Sequence, residues 1–154
     1  MSLKESYRPG LWVWLFPVTY LIHIAEEFWV GDGFHVWVAR FGGGGLEPET
    51  FVALNATALV VMTAGTALVR RYSVMNWLVV AFGTTLVLNG VTHLLASVYT
   101  VSYSPGLISG NLLWVPLGIF GLWQVRRWLS RQVFRLAIFT GALIHAAVIV
   151  ISLL

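Results

Sequence analysis

The chain has 154 residues, a formal net charge of +3, 58% hydrophobic residues and only 10% charged ones. That is too little charge to cover a water-soluble domain, so composition excludes a soluble enzyme or binding module. With the arginines dispersed over short loops the charge does not suggest a nucleic-acid surface, and the absence of cysteine excludes disulfides, thiolate metal sites and cysteine nucleophiles.

Apolar runs near the roughly 20 residues needed to span a bilayer predict helices at about 11–30, 50–69, 74–99, 106–125 and 132–153. The expected fold is all-α: five transmembrane helices in one bundle, a single transmembrane helical domain over residues 1–154. The first run follows Lys4 and Arg8. It carries His23, Glu26 and Glu27 and has no small-residue cleavage site, so it is expected to persist as a helix.

The connection from Gly31 to Glu49 is the longest. Within it, Phe34 to Phe41 is expected to lie flat at the interface as a short amphipathic turn, serving either as a lid or as plain connection. Gly42 to Gly45 form a hinge, and Glu47-Pro48-Glu49 place acidic residues at the next helix start, where the dipole favours them. The third run is long enough to tilt or to project beyond the hydrocarbon. After it, Tyr103-Ser104-Pro105-Gly106 reads as a tight turn, with Ser104 as cap and Pro105 at the first helical position. Pro17 and Pro116 fall inside the first and fourth helices, and each is expected to kink its helix by freeing a carbonyl four residues earlier.

Basic residues set the expected orientation. Five spans put Lys4, Arg8, Arg70, Arg71, Arg126, Arg127, Arg131 and Arg135 on one side and Arg40 on the other. The N-terminus is then cytoplasmic and the C-terminus outside, in what is expected to be the inner membrane of a prokaryote.

His23, Glu26 and Glu27 are i, i+3 and i+4, so they share one helix face within a turn. Ionisable groups in a span are costly and face the bundle interior or a wet cavity. Counted from the basic end, His23, Asn55 and Asn111 each rise about 22 Å, Glu26 and Asn89 about 27 Å, His93 about 33 Å and His145 about 15 Å. Every helix thus contributes to a polar layer, which reads as one shared pocket in the outer half of the bilayer. For Asn55 and Asn111 the plain alternative is interhelical hydrogen bonding.

The segment His23-Ile24-Ala25-Glu26-Glu27, followed by His93-Leu94-Leu95 and Tyr103-Ser104-Pro105-Gly106-Leu107, resembles the two recurring blocks of the HXXEE-domain family of small integral membrane proteins. The resemblance reaches from the first helix to the start of the fourth. It implies a small multi-helix membrane domain and carries no settled activity.

The chemistry is argued from the residues themselves. His23, Glu26 or Glu27, and His93 supply a two-histidine, one-carboxylate set suited to zinc, iron or manganese, with His145 as a further ligand or behind one. These residues then make an intramembrane enzyme acting on a lipophilic small molecule, lipid or isoprenoid-like, with His23, Glu26, Glu27 and His93 catalytic. Asn55, Asn89, Asn111, Trp114 and Tyr103 would line the substrate site. A metal-free acid–base isomerase or cyclase of an isoprenoid or sterol-like substrate is the first alternative. A proton-coupled carrier or binding protein for a lipophilic ligand, working as a homodimer, is the second. A haem held by two of His23, His93 and His145 would leave the glutamates unexplained. The partners expected are the lipid bilayer and the lipophilic substrate, with no nucleic acid.

Overall fold

A computed structural model describes residues 7–44 and 46–153. Lys4, counted above for orientation, and Gly45 of the expected hinge lie outside the described residues. Helices account for all the regular structure among those described. We number them α1 (Leu15–Trp29, entered through a 3-10 turn Leu11–Trp14), α2 (Phe34–Gly42), α3 (Pro48–Arg71), α4 (Trp77–Thr100, entered through a 3-10 turn Ser73–Asn76), α5 (Leu107–Trp128) and α6 (Arg131–Ser152).

Four segments are long and apolar enough to cross a membrane: Pro48–Arg71, Ser73–Thr100, Leu107–Trp128 and Arg131–Ser152. They make the chain an integral membrane protein. The helix expected over 11–30 does not join them by this measure, because its α-helical part is 15 residues long and ends in the polar cluster.

α4 is the hub. It is buried almost without interruption from Val79 to Leu86, and both α5 and α6 pack along it. α1 packs on α3 and on the start of α5. Without a hydrophobic drive between helices in lipid, small residues that let backbones approach decide such contacts. Gly90 of α4 lies against the backbone of Gly110, Gly83 against Gly118, and Gly141 of α6 against the Ala81 carbonyl, each with no room for a Cβ. The rest of the core, including Val13, Phe16, Met62, Val69, Val80 and Leu86, fills the half of the bundle below the polar cluster.

That lower end also gathers the basic residues. Arg70 Nη1 donates to the Pro9 carbonyl (2.5 Å), Asn76 Nδ2 donates to the Tyr7 carbonyl (2.9 Å), and Tyr7 stacks on Trp128 at 5.0 Å. The entry to α1, the α3–α4 turn and the α5–α6 turn are thereby tied together.

At each proline the helix changes type. Pro17 is the third residue of α1, and the Val13 carbonyl it cannot bond lies in the preceding 3-10 turn, so it marks where that turn becomes α-helix. Pro116 follows a π-helical turn, Gly110–Trp114, closed by the Val115 N–H on the Gly110 carbonyl. The wider turn accommodates the register that the proline interrupts.

The expected interfacial turn is the helix α2. It begins and ends at glycines of positive φ, Gly33 (77°) and Gly43 (76°), and it folds over the end of the bundle away from Arg70 and Arg126. Trp37 Nε1 donates to Ser102 Oγ (3.1 Å) in the turn after α4, and Arg40 pairs with Asp32 at 2.9 Å.

Candidate metal centre

His23 and Glu27 are one turn apart on α1, and His93 reaches the same point from α4. His23 Nε2 lies 3.4 Å and His93 Nε2 3.2 Å from a single oxygen, Glu27 Oε1. One ligand atom from each of these residues falls within 4.8 Å of the others. Exposures of 1% for His23, 4% for His93 and 7% for Glu27 place all three out of solvent. A tetrahedral ion with bonds of about 2.1 Å has ligand–ligand edges of about 3.4 Å, so both nitrogen–oxygen separations already match those edges.

The outer nitrogens are fixed as well. His23 Nδ1 is 2.8 Å from Ser109 Oγ, and His93 Nδ1 is 3.0 Å from Ser104 Oγ. A hydroxyl that accepts from Nδ1–H holds the tautomer whose bare Nε2 faces the centre, as is usual behind metal-ligating histidines. His23 Nε2 is buried and has no hydrogen-bond partner, so the pair it makes with Glu27 leaves its lone pair unspent. An orphaned nitrogen, a neighbouring nitrogen and a carboxylate aimed at one point fit a divalent ion. His23 also stacks on Trp114 (ring centroids 3.6 Å apart), while Phe34 of α2 sets its ring against His93 at 5.8 Å.

Glu26 does something else. Its Oε1 accepts from the Tyr103 hydroxyl (2.5 Å) and the Ile108 N–H (2.8 Å), and its Oε2 accepts from the Ser109 N–H (2.6 Å). Ile108 and Ser109 are in the first turn of α5, whose N-cap is Gly106 and has no side chain to offer. α1 therefore supplies from a distance the carboxylate that caps α5, where the helix dipole favours a negative charge. Burial and the hydrogen bond to Glu26 push the Tyr103 phenol up, keeping it a donor.

Gly106 explains why α5 needs this arrangement. It sits at φ 97°, and a Cβ there would lie 2.8 Å from Cε1 of both His23 and His93. No side chain fits between the two imidazoles. Gly106→Ala is accordingly expected to cost about 1–3 kcal/mol through strain and displacement of the rings, read as a lower unfolding temperature together with weaker metal retention.

The polar layer expected from the sequence separates into several groups. Asn55 accepts from Tyr20 (2.8 Å) and donates to the Phe51 carbonyl, and Asn111 Nδ2 donates to the Gly90 and Leu107 carbonyls. These are bonds within and between helices. Trp114 is buried behind His23, between it and Tyr20, and Tyr103 is engaged by Glu26. Asn89 Oδ1 is buried without a partner. His145 is not brought to the centre. Its Nε2 is 2.9 Å from Thr92 Oγ1, whose proton goes to the Leu88 carbonyl, so Nε2 carries the hydrogen and Nδ1 is left bare. Reading the sequence missed Ser104 as a partner of His93, Ser109 entirely, and Gly106 as a spacer. The signal was there in the small residues of Ser104-Pro105-Gly106 and Ser109, flanking a helix start with no acidic cap of its own.

No curated protein and no solved structure matches the chain. A known family does, over residues 14–121, and its description is a protein of unknown function with HXXEE motif. The matched stretch contains His23, Glu26, Glu27 and His93, together with the turn that holds Ser104 and Gly106. The chain belongs to the HXXEE family.

Proposed function

We propose that this protein is an intramembrane enzyme that uses a divalent metal ion, held by His23, Glu27 and His93, to act on a lipophilic small molecule. The observation that carries the proposal is the convergence of two imidazole nitrogens and one carboxylate oxygen within 4.8 Å. Three protein ligands leave a coordination position open, which distinguishes catalytic sites from the closed four-ligand sites of structural zinc. Zinc, iron and manganese all suit these donors. The metal supplies Lewis acidity or an activated water; the chain supplies orientation through Ser104 and Ser109 and a dry, closed surrounding. Glu26 is held by three donors as the cap of α5, which counts against its use as a proton carrier.

In this proposal α1 is a fifth span. With its 3-10 entry it runs from Leu11 to Trp29, about 28 Å, and it exposes Leu15, Val18, Leu21 and Ile22 while His23, Glu26 and Glu27 face inward. The arginine-rich end is then cytoplasmic by the positive-inside rule, and the metal centre lies in the outer half of the bilayer beneath α2. The substrate is a lipid or isoprenoid-like molecule. A groove of about 560 Å³ between α2 and the ends of α4 and α6, lined by Trp37, Ala96, Tyr99 and Thr100, stops one turn short of His93 and Phe34.

The test is turnover in liposomes made from a total membrane lipid extract. Mass spectrometry of the lipids is expected to find a new product with the metal-loaded protein and none after chelation or with Glu27→Gln. Identical lipid profiles in all three samples would overturn the enzymatic reading.

A further inference from the structure

A cavity of about 670 Å³ lies at the opposite end of the bundle, around the α5–α6 turn. Arg126, Arg127, Arg131 and Arg135 line it, with Trp123 and Phe134 as apolar walls. We infer that this cavity binds the phosphate of an anionic phospholipid. The inference is independent of the metal centre.

Three features separate this cavity from a scatter of orienting charges. First, four arginines line one concavity and none of them forms an ion pair among the described residues, Arg127 lying over the Trp128 ring at 5.4 Å. The described acidic residues, Glu26, Glu27, Asp32, Glu47 and Glu49, belong to the end of α1, the loop beyond it and the start of α3. Arginines gathered on one concavity with no counter-charge among the described residues repel one another, and an anion lowers that cost. Second, the cavity includes the first turn of α6, capped by Ser130 Oγ on the Val133 N–H. The positive end of that helix dipole adds to the same field. Third, the walls favour a lipid over a free anion. α5 and α6 each pack on α4 and scarcely meet one another, so the cavity opens between them. Trp123 (70% exposed), Leu136 and Phe139 are left on the bilayer-facing surface beside it. A headgroup phosphate would sit among the arginines, at the depth where the tryptophan belt lies, with its acyl chains along these side chains.

The experiment uses the full chain, delipidated in a mild detergent, and follows thermal unfolding as lipid is added. Phosphatidylglycerol is expected to stabilise the protein and phosphatidylcholine to have no effect. Arg131→Gln/Arg135→Gln should weaken the phosphatidylglycerol response by roughly fivefold per arginine removed, whereas Arg8→Gln/Arg71→Gln, which removes the same charge from the same end, should retain it. Equal stabilisation by both lipids, or equal losses in the two double variants, would overturn a specific site. Displacement of the lipid by inorganic phosphate at matching concentration would overturn its assignment to a lipid.

Discussion

Glutamine in place of Glu27 is expected to empty the metal centre while the bundle stays folded. The substitution keeps the volume of the side chain and removes the charge that offsets the ion. Loss of a group behind a metal ligand costs 10–100-fold in affinity, so loss of the ligating carboxylate is expected to cost at least about 100-fold. Elemental analysis of the purified variant should find it metal-free, with helical content and unfolding temperature close to those of the wild-type protein treated with chelator. His93→Ala should lose metal similarly but with added destabilisation, because it leaves a void beside Phe34 and an unpaired Ser104 hydroxyl.

The same substitution one residue earlier is expected to do the reverse. Glu26→Gln puts an amide where three donors converge, and an amide has only one oxygen and brings donors of its own. At least one N–H of the first turn of α5 is then left unsatisfied in a buried site. Hydrogen bonds to a charged acceptor contribute about 1.5–3 kcal/mol each, and an orphaned buried donor costs a further 1–3 kcal/mol, so a loss of about 3 kcal/mol or more is expected. Thermal unfolding of the metal-free proteins isolates this effect, with Glu26→Gln melting well below both wild type and Glu27→Gln. Equal stability of the two variants would show that the two glutamates do not have the distinct roles assigned to them.

That division of labour between neighbours was only half legible in the sequence. Period and cost identified His23, Glu26 and Glu27 as an inward face, and the histidine on a distant helix was visible as a partner. Around a helix axis, however, Glu27 lies about 40° from His23 on one side and Glu26 about 60° on the other. Both count as the same face, and nothing local says which one turns toward His93. What decides is the start of α5, whose bare N–H groups lie beside Glu26 because Gly106 is wedged between the imidazoles. Contacts of that kind join residues more than 80 positions apart and leave no periodic trace. The long helices were legible because hydropathy alone sets their extent: expected spans at 50–69 and 74–99 correspond to Pro48–Arg71 and Ser73–Thr100. α2 was legible as an amphipathic segment, but its seat on Ser102 and His93 was not. The depth count placed Asn55 and Asn111 level with His23 and His145 about 7 Å lower, and could say nothing of azimuth. Each of them instead bonds to a neighbouring helix or to its own.

Everything proposed for the site requires that His23, Glu27 and His93 together hold a metal ion. Elemental analysis of the wild-type protein, purified in detergent without chelator and combined with X-ray absorption at the metal edge, addresses it directly. About one zinc, iron or manganese ion per chain is expected, bound by two imidazoles and oxygen donors. Protein that is metal-free as isolated, and that takes up none of the three when they are supplied, would contradict it.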